Sequence, residues 1–214
     1  MHINFAILKT INIKTKIGFQ ILMKYAIEHL EPELHEWCLI EYEHISEIAG
    51  KGNLIFTNIK HEKDRNKLKK FGRVFERSVS ELKFDDICVL SQYAKKTLTT
   101  DDKNKFQYFV LGGILGDNPA KRRTDDIIKE LRHKKIKFEE RNLGAKQMPT
   151  DAAAYVSKKI LDGKKLNEFR FADELEIQIS ENESVSLNFR YAVDDNKVII
   201  SEKLVDHLRK RKEF

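Results

Sequence analysis

Short apolar runs alternate along the chain with longer stretches in which apolar residues recur every three to four positions. Asn53–Thr57, Asp86–Leu90 and the run that begins at Phe106 are compact and largely apolar and predict buried strands, and Lys24–His29 reads as the first strand. Between them, Leu34, Trp37, Cys38, Ile45 and Ile48 recur at helical spacing through Glu33–Ala49, and Gly50 and Gly52 end that helix. Lys60–Phe71 reads as a charged helix, Arg73–Phe75 as a short strand and Thr100–Asp102 as the start of a helical turn. Further on, Asp125–Lys134 predicts a helix, Lys137–Arg141 a strand, and Ala152–Leu161 a helix capped by Thr150 or Asp151. Glu174–Tyr191 then changes period to two: Leu175, Ile177 and Ile179, then Val185, Leu187 and Phe189, a hairpin turning near Asn182. Val198–Ile200 is a last short strand, and Ser201 caps a basic helix to Lys212. Strand-helix alternation of this kind is the pattern of a parallel α/β sheet.

The chain is organised around Phe106–Pro119. Its first half is aromatic and branched, and its second half holds Gly112, Gly113 and Gly116, a third of the nine glycines in the sequence. A buried strand that runs into a glycine loop at the carboxyl edge of an α/β sheet is where such folds bind ligands. The loop reads Gly-Gly-x-x-Gly, not the Gly-x-Gly-x-x-Gly of a dinucleotide site, and ends in Gly-Asp-Asn, not the Gly-Lys-Ser/Thr of a phosphate loop. Asp117 would repel a pyrophosphate. The loop alone is compatible either with a tight turn or with a ligand that is neutral or cationic where it touches the protein.

A second glycine loop, Arg141–Ala153, leads into the helix at Ala152. Phe-x-Tyr-Phe-Val-x-Gly-Gly-Ile-Leu-Gly-Asp-x-Pro followed by Leu-Gly-x-Lys-Gln-Met-x-Thr-Asp resembles the branch of the SPOUT methyltransferases that contains a eukaryotic ribosomal-protein arginine methyltransferase. The blocks Met23–His29, Glu36-Trp37, Glu168–Phe171 and Phe189–Tyr191 resemble it too, so the likeness spans Met23 to the C-terminus. The resemblance implies a mostly parallel sheet flanked by helices, a C-terminal trefoil knot and a small C-terminal hairpin and helix. It divides the chain into an extension at 1–22, which the likeness does not reach, a methyltransferase core at 23–166 and a hairpin-helix unit at 167–214. Met23 is then the expected start of the folded protein.

Composition and charge narrow the rest. The net charge is +6, but Lys60–Arg73 carries +5, His207–Phe214 +3 and Met1–Leu22 +3, so the remainder is net −5. The body that holds the glycine loops is mildly acidic, with basic patches outside it: either solvated helix faces or surfaces that meet RNA. No stretch approaches the twenty uncharged apolar residues of a membrane span. Cys38 and Cys88 lie in apolar contexts, as expected of reduced core residues in a cytoplasmic protein, and no cysteine-histidine spacing suggests a metal.

The resemblance implies S-adenosylmethionine as cofactor, with S-adenosylhomocysteine as product, held mainly by main-chain groups of the two loops. Leu111, Gly112, Gly113, Leu115 and Gly116 are expected on one side and Leu143, Gly144, Gln147 and Met148 on the other. An arginine nucleophile is charged below about pH 12, so carboxylates must orient it and take its proton. Glu28, at the end of the first strand, is the first candidate and Asp117 the second; Asp117 serves either there or as a turn residue before Pro119. An arginine of a small-subunit ribosomal protein is the expected substrate and an RNA base the alternative. An acidic pocket would favour the first, a basic cleft with stacking aromatics the second. The assembly is a monomer or a dimer through the knot.

Overall fold

A computed structural model describes residues 23–115 and 121–210. The expectations that fall on the extension at 1–22, on Gly116 and Asp117, and on the last four residues lie outside the described residues.

The centre is a six-stranded sheet in the order β3-β2-β1-β5-β4-β6. Its strands are β1 (Lys24–His29), β2 (Leu54–Thr57), β3 (Arg73–Val74), β4 (Ile87–Leu90), β5 (Tyr108–Gly113) and β6 (Phe138–Arg141). Every pairing is parallel. β2 and β4 are apolar almost without interruption, and β1 is buried from Tyr25 to His29, because both sheet faces are covered. Tyr25 and Ile27 face one layer, built from α1 (Glu36–Ala49) and α4 (Thr150–Leu161), whereas Ala26 packs with Ile127, Ile128 and Leu131 of α3 (Thr124–His133) on the other side. A charged helix α2 (Glu62–Leu68) lies between β2 and β3. It is shorter than the sequence suggests, because the chain must turn at Gly72 to run beside β2; a Cβ there would stand 2.6 Å from the Leu54 carbonyl oxygen.

Because all six strands run the same way, the ends of β1, β5, β4 and β6 open on one edge. The chain that leaves β6 there is bonded to the segment that leaves β4: Asn142 N–H donates to Lys96 O at 2.8 Å, Leu98 N–H to Asn142 O at 3.0 Å, and Asn142 Nδ2 to Ala94 O at 2.8 Å. Arg141 is fixed first, its guanidinium gripping buried Asp102 through Nε and Nη2, both at 3.0 Å.

The C-terminal part differs from a single hairpin. β7 (Arg170–Ala172), which the sequence pattern does not show, pairs with β10 (Tyr191–Asp194), and β10 with β11 (Lys197–Val198), in a separate antiparallel sheet. β8 (Leu175–Ser180) and β9 (Glu183–Leu187) form the expected hairpin, turning at Glu181–Asn182. Ile177 and Leu187 of the hairpin and Leu204 and Leu208 of α5 (Glu202–Lys210) close over Ile40 of α1 and Ala152 of α4, with Trp37 at the margin. Cys38 and Cys88 are free and buried, and burial pushes the Cys38 thiol up to about 12. Among the described residues no helix is long and apolar enough to cross a membrane.

Candidate cofactor and substrate cleft

At the carboxyl edge the two glycine loops face each other across a cleft that is open at its mouth to solvent. Leu111, Gly112 and Ile114 come from β5 and its exit; Leu143, Gly144, Gln147, Met148 and Thr150 come from the chain between β6 and α4. One hydrogen bond joins the halves directly, from Thr150 Oγ1 to Gly112 O at 3.3 Å. Gly144 has φ of +100°, a left-handed conformation that side-chain-bearing residues rarely take, and its N–H donates to Asn142 Oδ1 at 3.0 Å. The Gln147 carbonyl is pinned from outside by the Arg190 N–H at 2.9 Å.

Six of the nine expected cofactor residues thus line the cleft: Leu111, Gly112, Leu143, Gly144, Gln147 and Met148. Gly116 lies outside the described residues. Gly113 and Leu115 are not among the described lining residues. A Cβ on Gly113 would stand 2.0 Å from the Tyr42 hydroxyl and 2.9 Å from Ile27 Cγ2, so its missing side chain makes room for the core, on the side away from the cleft. Leu115 packs half-buried on the core, and its N–H donates to Glu31 Oε1 at 2.9 Å.

Glu28, the first carboxylate candidate, stands away from the described lining. It is buried, 4% exposed, and does not line the cleft. Its carboxylate accepts from the Thr57 hydroxyl at 2.5 Å and the Val79 N–H at 2.9 Å, a structural tie between β1, β2 and the turn Val79–Glu81. Burial pushes its pKa up, and the hydrogen bonds from Ser78, Thr57 and Val79 only partly offset this. Asp117, the second carboxylate candidate, lies outside the described residues. Arg190 ties the C-terminal segment to the second glycine loop through Gln147, while Arg170 bonds Asn196 within that segment.

The cleft has two walls that the sequence motifs did not reveal. Ser91, Gln92 and Tyr93 follow β4, and Lys121–Thr124 open α3. Gln92 Nε2 donates to Ala145 O at 2.6 Å, which ties the end of β4 to the second glycine loop. Neither segment carries a motif; only the position of β4 next to β5 brings them in. Among the described lining residues, Lys121, Arg122, Arg123 and Lys146 are cationic and none is acidic. Their carboxylate partners stand behind the wall: Glu31 2.6 Å from Arg123, Asp125 2.9 Å from Arg122 and Asp173 2.6 Å from Lys146. Arg190 and Lys146 together hold the Asp173 carboxyl down at about 2. The Arg122 guanidinium also lies 4.2 Å over the ring of Tyr93, which is exposed at the mouth.

A glycine floor, apolar walls at Leu111, Leu143 and Met148, and main-chain groups of both loops suit a flat, uncharged ring bound edge-on, as an adenine would be.

The family described as SFM1-like, protein arginine N-methyltransferase SFM1-like, matches residues 24–213. Protein arginine N-methyltransferase SFM1 of Saccharomyces cerevisiae is 34% identical over 205 residues, covering 88% of this chain and 95% of the yeast protein. The crystal structure of the yeast enzyme complexed with SAM superimposes with a TM-score of 0.80 at 34% identity, covering 88% of this chain and 90% of that one. A Trm10 structure from Thermococcus kodakaraensis, at 17% identity and a TM-score of 0.55 over 68% of this chain and 96% of its own, shares the fold.

Proposed function

The chain belongs to the SFM1-like protein arginine N-methyltransferase family, and on that premise we propose that it is an S-adenosylmethionine-dependent methyltransferase acting on an arginine of a small-subunit ribosomal protein. The observation that carries this is the meeting of the two glycine loops in one cleft, bonded through Thr150 and Gly112. Yeast SFM1 has been crystallised with SAM, SAH and MTA.

When bound, S-adenosylmethionine supplies an electrophilic methyl group for in-line displacement. The protein positions and dries the reactants. Leu111, Leu143 and Met148 exclude water from the ring, while Gly112 and Gly144 bring the main chain within reach. Glu31 fixes both Leu115 and Arg123, and so sets the two flanks of the first loop. The described lining has no carboxylate, so orientation of the guanidinium falls to a group such as Asp117. Glu28, tied to Thr57 and Val79, maintains the sheet edge.

We read residues 23–166 as the catalytic core, with the knot in its C-terminal half, and 167–214 as a hairpin-helix unit belonging to it. Cover of Ile40 and Ala152 by the hairpin and α5 favours a monomer. Buried free thiols suit the cytoplasm. The cationic mouth, with Tyr93 under Arg122, favours the second reading, an RNA substrate or an RNA-bearing particle as the docking partner. A tritium-transfer assay on isolated ribosomal protein, on ribosomal particles and on naked rRNA and tRNA, followed by mass spectrometry, separates them. Label on one arginine is expected; label on nucleotides alone would replace the arginine substrate with RNA.

A further inference from the structure

A second groove adjoins the cofactor cleft, and no motif points to it. Leu143 and Gly144 line both spaces, so this stretch of the second glycine loop is the partition between them. One wall is the segment 97–100 that follows β4; the other is formed by Lys165, Leu166, Asn167, Phe169 and Phe171, which follow α4. Both walls are held to the partition. Thr97 Oγ1 donates to Asn142 Oδ1 at 3.2 Å and the Leu98 N–H to Asn142 O at 3.0 Å. On the other side the Arg190 N–H donates to Gln147 O at 2.9 Å, its Nε to Asp173 Oδ1 at 2.6 Å, and its guanidinium lies 4.9 Å over the Phe171 ring. A Cβ on Gly144 would stand 3.6 Å from Arg190 Nη1.

The chemistry of the groove narrows what it holds. Leu166 and Phe171 are half-buried and keep apolar surface toward it. Phe169 and Phe171 stack at 5.8 Å and 15°, and Lys164 lies 4.6 Å over Phe169 as Arg190 lies over Phe171. A nucleobase would have to displace a ring or a cation to stack here, whereas an aliphatic side chain packs against ring edges and leucine without displacing either. Among the described lining residues the charged ones are Lys165 and Arg190. Arg190 is already paired with Asp173. Lys165 is exposed, and among the described residues no carboxylate stands within ion-pair distance of it.

We propose that this groove is the docking subsite for the substrate polypeptide, taking an aliphatic side chain near the target arginine with an acidic neighbour on Lys165. The proposal rests on the arginine methyltransferase reading above. A chain whose arginine enters the cleft lies across its rim, and the partition Leu143-Gly144 is common to cleft and groove. An extended chain advances about 3.4 Å per residue, so a side chain roughly two to five residues from the arginine reaches the neighbouring groove. The cleft then supplies the chemistry and the groove the register, so that one arginine is chosen among many.

The test is initial-rate methyl transfer to the isolated ribosomal protein that takes label in the assay above, with calorimetric titration of S-adenosylmethionine alongside. Asn167→Trp fills the groove from an exposed position, and Lys165→Glu reverses its charge. Each should raise KM for the protein substrate about tenfold, the equivalent of one buried aliphatic contact. The kcat and the cofactor affinity should stay within about twofold. Alanine substitution of the substrate's aliphatic residues around the labelled arginine should reveal one position that raises KM with wild type but not with Asn167→Trp, the non-additivity of groups in contact. An unchanged KM in both variants would overturn the docking subsite and leave the methyltransferase reading intact. A rise in KM matched by an equal loss of cofactor affinity would overturn it too, because the groove would then only support the glycine loop. In a gel-shift with naked rRNA, binding lost in Lys165→Glu while KM for the protein is unchanged would assign the groove to RNA instead. Wild-type protein that labels no arginine would overturn the subsite and the arginine reading together.

Discussion

One oxygen of Glu31 holds both flanks of the first glycine loop: Oε1 accepts from the Leu115 N–H at 2.9 Å and from Arg123 Nη1 at 2.6 Å, while Arg123 Nη2 reaches the Leu30 carbonyl at 2.7 Å. Glu31 stands two residues beyond β1 and outside every recognisable motif. Burial alone would raise its carboxyl pKa, but Arg123 and the Leu115 N–H outweigh that and hold it below the ordinary value. Glu31→Gln should weaken cofactor binding about tenfold, the equivalent of about one charge-assisted hydrogen bond. Because the folded-state pKa is lowered, the contribution of Glu31 is present at neutral pH and is lost as pH falls through the folded value. Titration calorimetry at pH 7 checks the first statement. Thermal melts of wild type and variant from pH 7 downward check the second, and the gap between them should close in acid.

Gly113 should respond to substitution through the core. Gly113→Ala forces a methyl group into the Tyr42 hydroxyl, which is 2.8 Å from His29 Nδ1 and belongs to a fully buried ring. Overpacking of this kind costs about 1–3 kcal/mol, a fall in Tm of roughly 2–4 °C per kcal/mol for a chain of this length. The second-site change Tyr42→Phe removes the clashing atom, so the double variant should lose less than the sum of the two single losses. Strict additivity in differential scanning calorimetry would contradict this geometry.

Asp102 and Arg141 form a buried, two-pronged ion pair with side chains 1% and 5% exposed. Arg141 also lies 5.0 Å over the Phe106 ring and precedes the second glycine loop. Asp102→Ala removes the buried partner of the guanidinium and leaves it Glu139, 3.0 Å from Nη1, and should cost about 2–3 kcal/mol. Denaturant unfolding measures it. Cofactor affinity should fall together with stability, because the loop from Asn142 to Pro149 hangs from this anchor.

Glu28→Gln separates structure from catalysis. With the carboxyl pKa raised in the folded state, Glu28 contributes stability that is complete below the ordinary carboxylate range and declines as pH rises through the raised value. The glutamine variant lacks this decline, so its Tm relative to wild type should rise with pH across that interval. Turnover should stay within a few fold, because the side chain does not line the cleft. A loss of several orders of magnitude with unchanged melting would return Glu28 to the chemistry.

The sequence by itself determined the elements and the chemistry of the two loops. Apolar runs at β2 and β4 and the apolar centre of β1 called for a sheet buried on both faces, and the glycines at 112 and 144 marked the two loops that line the cleft. These features are local: periodicity and backbone freedom are properties of neighbouring residues. What only the tertiary structure decided is which side of each strand faces what. Gly112 and Gly113 are adjacent, yet successive residues of a strand point to opposite faces, so one lines the cleft and the other accommodates Tyr42. The same alternation turns Glu28 toward Thr57 and Val79. Glu31 and Tyr93 reach the site only through strand order and helix packing, at separations of tens of residues that no local pattern encodes. β7 escaped notice for a related reason: three residues are too few to show a period, and the strand exists because β10 lies beside it.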